Sequence, residues 1–174
     1  MKAICILAAL AVALATVDAR AAPAITAGIG MSGIQVGTVP ALAVTPHAGI
    51  AFARDGWTVA VRDSLSLVPG SHGLGVNNVI ALAGGYRWPS LTATLGVTLA
   101  QYALPACSPM RGARGMGIAP GVDGAIDWFS PMLAGALGVR AAVSVGWYGG
   151  QSAVLPGGPV VTLTAGPIVR FGGR

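Results

Sequence analysis

Two aspartates and an arginine are the residues of this sequence whose types and spacing best suit the formation of ion pairs inside a β-sheet protein. Asp123 and Asp127 lie four residues apart, so on a β-strand they share one face about 13 Å apart. Each carboxylate can then meet a different arginine of a neighbouring strand, and Arg140 is the expected partner of at least one. Further arginines expected on the same interior face are Arg62, Arg87 and Arg170. Such buried pairs fit a structural polar plug or a cavity that binds an anionic ligand.

Catalytic side chains are scarce in this sequence. After residue 21 it contains two histidines, His47 and His72, and no glutamate. Ser71 lies beside His72, but no acid lies near them in sequence, and a nucleophile needs both a base and a third group that orients it. No His, Cys and carboxylate cluster has metal-ligand spacing, so we predict no metal and no other cofactor. We therefore expect a protein that is not an enzyme.

Strict alternation of apolar with small or polar residues is the clearest structural signal. It is strongest over 91–99, 137–147 and 161–171; weaker runs cover 25–36, 42–53, 57–67, 78–88 and 121–129. Each run is about as long as a tilted membrane-crossing strand, which needs roughly 9–11 residues. Hydrophobic residues make up 54% of the chain and charged residues 9%, which is typical of membrane proteins. After residue 22 no stretch of about 20 apolar residues could form a transmembrane helix.

The connections between these runs differ in length. Tight turns are predicted at Arg54–Gly56, Trp88–Ser90 and Phe129–Pro131, and longer connections at 69–77, 104–120 and 149–159. The first connection, 37–40, is short. Short turns at one end and longer loops at the other are typical of bacterial outer-membrane barrels, whose turns face the periplasm. Eight strands is an even number, so the sheet can close with both termini at the same end.

In length, alternation and connections, the chain resembles the small eight-stranded outer-membrane barrels of the OmpA and OmpX type. The resemblance covers nearly all of residues 22–174 and implies a closed, antiparallel, up-and-down transmembrane β-barrel of the all-β class without an open pore. It also implies a structural or interaction role in the outer membrane of a Gram-negative bacterium. The expected partners are outer-membrane lipid or lipopolysaccharide and, during biogenesis, the barrel-assembly machinery; the oligomeric state stays open. The alternatives are a lipid A-modifying enzyme and an exported soluble ligand binder.

The first 21 residues are predicted to be a cleaved secretory signal peptide. Lys2 precedes an apolar run from Ala3 to Val17, and small residues at Ala19 and Ala21 fit a cleavage site. Residues 22–174 then form the barrel domain, with eight arginines and four aspartates. This basic balance suits an anionic membrane surface. A nucleic-acid partner is not expected, because the arginines are scattered rather than clustered with aromatic residues.

Aromatic residues are predicted to form girdles at both membrane interfaces. The residues expected near the tight turns are Phe52, Trp57, Trp88, Trp128 and Phe171, and those expected near the opposite rim are Tyr102, Trp147 and Tyr148. Asp63 falls on the lipid face of the third strand, where a carboxylate is unfavourable, unless a bulge turns it inward.

The predicted connection 104–120 contains the candidate surface site. Arg111 and Arg114 lie three residues apart there, and guanidinium groups bind phosphate with two parallel hydrogen bonds. The pair is a possible lipopolysaccharide contact, with an ordinary solvated basic loop as the alternative. Cys107 in the same connection is the single cysteine after residue 21, so no intramolecular disulfide is expected.

Overall fold

The protein, seen in a computed structural model, is a closed antiparallel β-barrel. The structure describes residues 23–36, 39–70, 73–104, 115–133, 136–148 and 158–172. In chain order the strands are β1 (Pro23–Val36), β2 (Val39–Arg54), β3 (Trp57–Gly70), β4 (Gly73–Arg87), β5 (Leu91–Leu104), β6 (Gly115–Phe129), β7 (Leu137–Tyr148) and β8 (Gly158–Gly172). Each strand pairs with the next, and β8 pairs with β1, so the sheet has no free edge. The predicted fold class is confirmed.

The strands are tilted relative to the barrel axis. Following the paired residues once around the barrel from Thr26 returns to β1 at Val36, ten residues further along. The path runs through Gly49, Arg62, Ala81, Thr98, Gly121, Gly146 and Val160. A stagger of this size corresponds to a strand tilt of about 40°. At about 3.3 Å per residue, strands of 14 residues then give a barrel about 35 Å tall, which exceeds the apolar band of roughly 25 Å of known membrane barrels.

Alternation along each strand separates two faces of different chemistry. Most inward side chains are small or polar, and Thr45, Ser32 and Asn77 have no exposed surface. Large apolar side chains point outward; Leu42 and Leu95 are each 71% exposed. In the described part of the chain, no helix is long and apolar enough to cross a membrane. The apolar surface of this protein therefore lies on the outside of the sheet.

Three connections lie at the end of the barrel that we call the turn end, together with both ends of the described chain. At Asp55-Gly56 both φ values are positive, 51° and 85°, as a two-residue type I′ hairpin requires. A side chain at Gly56 would also collide with the ring of Tyr86. The predicted turn at Phe129–Pro131 is too short. The connection runs from residue 130 to 136 and contains a 3-10 helix, Pro131–Leu133.

The opposite end, the loop end, differs from the sequence prediction. The predicted long connection at 69–77 is wrong, because β3 continues to Gly70 and β4 begins at Gly73. The alternating pattern persists there, so Ser66 pairs with Asn77 and Val68 with Gly75 instead of leaving their backbone groups to solvent. The other long connections reduce to residues 105–114 and 149–157. The first connection is short, as predicted.

Several prolines lie within strands on the outer face, and Pro46 and Pro167 are two that lie well away from the strand ends. Pro46 pairs with Ile29, and Pro167 pairs with Val139. Both side chains are exposed. Proline cannot donate a backbone hydrogen bond, so each removes one ladder bond, but neither shifts the register of its strand pairs.

Candidate functional site

The barrel lumen brings together four of the six charged residues predicted to point inward. Asp127 of β6 and Arg140 of β7 are directly paired across the two strands. The Arg140 Nε and Nη2 groups donate to the two Asp127 carboxylate oxygens at 2.7 and 2.8 Å. Both residues are buried. This bidentate geometry is the strongest form of an Arg–carboxylate contact, and Asp127 has the partner that the sequence suggested.

The second ion pair crosses the lumen. Arg62 of β3 donates hydrogen bonds to the Asp123 carboxylate of β6 and to the Thr94 hydroxyl of β5. Arg62 and Asp123 are buried. Because β3 and β6 are not neighbours, the expectation that Asp123 meets an arginine of an adjacent strand is wrong. In a narrow barrel, a long inward side chain reaches the opposite wall. We call Arg62, Asp123, Asp127 and Arg140 the ion-pair layer.

Arg87 and Arg170 lie nearer the turn end than the ion-pair layer. Both point inward and are half-buried, and neither forms an ion pair with another residue of the described strands. The Arg170 guanidinium lies 4.1 Å from the centre of the Phe129 ring, in cation–π contact. These two arginines make the turn-end mouth of the lumen positive.

His47 is buried beside the ion-pair layer and lies within electrostatic range of Arg140 and Asp127. Its Nδ1 atom is 3.4 Å from the Thr45 carbonyl oxygen, and Nε2 is buried with no partner among the residues that the structure describes. The ring occupies space that Gly28 leaves free, since a Cβ atom at Gly28 would lie 2.6 Å from Nε2. Among the described residues, neither a nucleophile nor a carboxylate is hydrogen-bonded to the His47 ring. The geometry of a catalytic triad is therefore not formed around His47 by these residues.

A chain of hydroxyl groups crosses four adjacent strands on the loop-end side of the ion-pair layer. The Ser32 hydroxyl is 2.6 Å from that of Thr164 and 2.7 Å from that of Thr45, which is 2.9 Å from that of Ser66. Thr45 has one hydroxyl hydrogen, so it donates to one serine and accepts from the other. We call Ser32, Thr45, Ser66 and Thr164 the hydroxyl layer. Sequence analysis did not identify it.

An apolar cluster closes the lumen towards the loop end. It contains Ile34, Ala43, Val68, Val79, Ala100, Ala119 and Val160, which we call the apolar plug. All seven are buried, and Ala119 has no exposed surface. Part of this cluster was predictable from the sequence. Val68 is two residues after Ser66 and four after Ser64, so the alternation of β3 places its side chain on the same inward face. The plug was missed because residues near it were assigned to a connection.

A small cavity lies beside the ion-pair layer. It measures about 30 Å³ and is lined by residues of β1, β2, β3 and β5 together with Asp127 and Arg140. That volume is about the space of one water molecule. Arg140 Nη1 is buried at this cavity without a partner among the described residues. The cavity therefore has the size and polarity that suit bound water.

Most residues of the predicted aromatic girdles lie on the outer face. Trp57, Trp88, Trp128 and Phe171 are exposed near the turn end, and Trp147 is 62% exposed near the loop end. Phe52 also points outward near the turn end and is half-buried. Sequence analysis missed Tyr86, whose ring lies edge-on to Trp57 at 5.6 Å and to Trp88 at 4.9 Å. The side chains of Tyr102 and Tyr148 lie outside the described part of the structure.

Several predicted residues fall on parts of the chain that the structure does not describe. They are Arg111, Arg114 and Cys107 of the longest connection, Ser71 and His72 of the β3–β4 connection, and the signal peptide at residues 1–21. Their proposed roles stay predictions.

Solved structures with the same architecture are outer-membrane barrels. Neisserial surface protein A matches with a TM-score of 0.56 and 15% identity, over 86% of this chain and 99% of its own. The N-terminal β-barrel domain of Pseudomonas aeruginosa OprF matches with a TM-score of 0.57 and 13% identity, over 86% and 97%. This chain has the fold of the small outer-membrane barrels.

A third similar structure is Ail, the attachment invasion locus protein of Yersinia pestis, in complex with the heparin analogue sucrose octasulfate. It matches with a TM-score of 0.54 and 13% identity, over 87% of this chain and 99% of its own. No protein-family model and no curated protein matches the sequence. Because the three identities lie far below 25%, the likeness concerns the fold.

Proposed function

We propose that this chain is an outer-membrane protein of a Gram-negative bacterium with a structural or interaction role and without an open pore. The observation that carries this proposal is the contrast between its two surfaces. The outward wall is apolar over the height of a bilayer apart from Asp63, whereas the lumen contains ion pairs, hydroxyl groups and the apolar plug. A barrel that transports nothing through its interior acts through its outer wall and its connections.

The apolar wall also offers a place for lipid. A groove of about 470 Å³ near the loop end is lined by residues that include Gly33, Leu42, Val161 and Leu163, with Gln35 towards its rim. Leu42 and Leu163 are among the most exposed apolar side chains of the barrel, at 71% and 58%. With the turn end in the periplasm, as in known barrels, this groove lies at the level of the outer leaflet and accepts an acyl chain.

Membrane insertion and closure are tested together in lipid vesicles. The chain 22–174, refolded into vesicles, should migrate differently on a gel before and after boiling and should give no conductance steps in a planar bilayer. A porin that has an open pore serves as the positive control. Recovery of the expressed protein in the soluble periplasm without detergent contradicts the membrane location, and stable conductance steps contradict the closed lumen.

Lipopolysaccharide contact is a finer part of the proposal and rests on Arg111 and Arg114. The double variant Arg111→Ala/Arg114→Ala should bind lipopolysaccharide about tenfold more weakly, the equivalent of about 1.4 kcal/mol for two exposed guanidinium contacts. Arg54→Ala is the matched control, since Arg54 lies at the turn end, 3.6 Å from Asp55. Equal losses in the two variants would show that binding follows net charge rather than this connection.

A further inference from the structure

Asp63 is a charged residue on the lipid-facing wall of the barrel. Its side chain is exposed on the outer face of β3, the face that also carries Trp57 and Leu65. Asp63 pairs with Ala48 of β2 and Ile80 of β4, and the register on both sides is unbroken. The bulge that would turn this carboxylate inward is therefore absent from β3, and Asp63 points away from the lumen.

The position of Asp63 is halfway up the barrel. It lies six residues from Trp57 at one end of β3 and seven from Gly70 at the other. With the tilt given above, its backbone is about 15 Å from the turn end, well inside an apolar band of about 25 Å. Lipid phosphates and water lie beyond the reach of its short side chain. An ionisable group at this depth marks a functional site whose partner has to be named.

Asp63 has no partner within this barrel as far as the structure describes it. The basic residue next to it, Arg62, points into the lumen and binds Asp123. Away from the strand ends, the described outward positions carry no arginine or lysine. The wall of a second copy therefore lacks a cation at this height and would bring one carboxylate against another. Charge complementarity points to a different partner, one that carries a basic side chain.

The surface beside Asp63 is shallow. In the same row of paired residues lie Ala48 of β2 and Ala27 of β1, both exposed. The rows on either side carry larger side chains, with Ile25 and Ile50 in one and Ile29 and Leu65 in the other. The two alanines form the floor of a trough that ends at Asp63. Small residues let another transmembrane segment approach closely.

We propose that Asp63 and the Ala27–Ala48 trough form a docking site for a membrane-embedded segment that presents a lysine or arginine at mid-depth. The two alanines accept the apolar ridge of the partner, and the Asp63 carboxylate pairs with its cation. Water is excluded there, so the ion pair is much stronger than one at an exposed surface. This inference rests on the proposed membrane location.

The test uses the chain 22–174 in lipid vesicles with two synthetic probes. Both are dansyl-labelled transmembrane helices of leucine and alanine; one has a central lysine and the other a central leucine. Energy transfer from the tryptophans of the barrel to dansyl reports association. The lysine helix should half-saturate the barrel at a peptide-to-lipid ratio at least about fivefold lower than the leucine helix, since charge pairing replaces an unpaired group in each partner.

Three variants locate the site. Asp63→Asn should abolish the preference for the lysine helix, and Ala48→Leu should reduce it because the larger side chain fills the trough. Asp55→Asn, which removes an exposed carboxylate at the turn end, should leave the preference unchanged. A shift between boiled and unboiled samples on a gel verifies that each variant is folded.

Several results would overturn the docking site. They are equal binding of the two helices, a preference that survives in Asp63→Asn, and a binding constant unaffected by Ala48→Leu. Energy transfer between two labelled copies of the barrel that depends on Asp63, with no preference for the lysine helix, would also contradict the proposal. It would show that the partner at this site is a second copy of the chain. Failure to enter vesicles at all would instead refute the proposed membrane location, so the two proposals fail in different ways.

Discussion

The two halves of the lumen are closed by different interactions. Towards the turn end, two arginines and two aspartates form ion pairs in which each depends on a particular partner, beside the buried side chains of Phe129 and Ile168. Towards the loop end, seven apolar side chains pack together with no required pairing. The two arrangements differ in their tolerance of substitution, because a buried charge that loses its partner is destabilised more than an apolar cluster that loses a methyl group. The hydroxyl layer lies between them.

The largest expected effect comes from breaking one ion pair. Asp127→Leu should lower the free energy of unfolding by about 3–5 kcal/mol, because it leaves the Arg140 guanidinium buried without a counter-charge. Urea unfolding from lipid vesicles, followed by tryptophan fluorescence, measures the change. Asp63→Leu is the matched control, since it makes the same substitution on the outer face and should not destabilise the barrel.

The double variant Asp127→Leu/Arg140→Leu tests whether the loss of stability in Asp127→Leu comes from the unpaired charge of Arg140. Replacing a buried ion pair by apolar side chains is often neutral, so the double variant should recover most of the stability lost in Asp127→Leu. If the double variant is less stable than either single one, packing rather than charge pairing holds this half of the lumen.

In the apolar plug, Ile34→Ala should cost about 2–4 kcal/mol, because it opens a cavity among well-packed side chains. Ile34 is 2% exposed and belongs to the plug. The same vesicle assay applies. Unlike the ion pair, this loss should not be relieved by a second truncation, so Ile34→Ala/Val160→Ala should be less stable still. Recovery in that double variant would contradict the distinction between the two halves.

Gly28→Ala tests the space reserved for His47. The added Cβ would lie 2.3 Å from the Pro167 carbonyl oxygen and 2.6 Å from the His47 ring, so we expect a loss of about 1–3 kcal/mol from overpacking. Gly33→Ala in the same strand is the control, since a Cβ there meets no atom within 4 Å. Equal unfolding free energies for the two variants would mean that the lumen beside His47 is loosely packed.

The smallest effect is expected in the hydroxyl layer. Thr45→Val removes two hydrogen bonds from the middle of the chain of hydroxyl groups, whereas Ser66→Ala removes one from its end. At about 1 kcal/mol for each bond, Thr45→Val should cost about 2 kcal/mol, roughly twice the cost of Ser66→Ala. Equal unfolding free energies for these two variants would show that the layer contributes no cooperative stability.

The faces of the strands were predictable because alternation has a period of two. Once one inward residue of a strand is identified, every second residue along that strand is also assigned to the inward face. This is why Arg62, Asp123, Asp127 and Arg140 were all placed in the lumen. The same rule fails at strand ends, where glycine and proline suggest turns. Residues 69–77 were therefore assigned to a connection, although β3 and β4 continue through most of them.

The sequence by itself determined the all-β class, the strand order and the inward and outward faces, because these depend on local periodicity and on short connections. It also suggested the Asp127–Arg140 pair, since their strands are neighbours in the chain. The closed barrel decided the rest. The contact of Arg62 with Asp123, the hydroxyl layer and the apolar plug each join residues that lie far apart in the sequence. Which inward side chains meet depends on the tilt and stagger of the strands, and those are properties of the whole closed sheet.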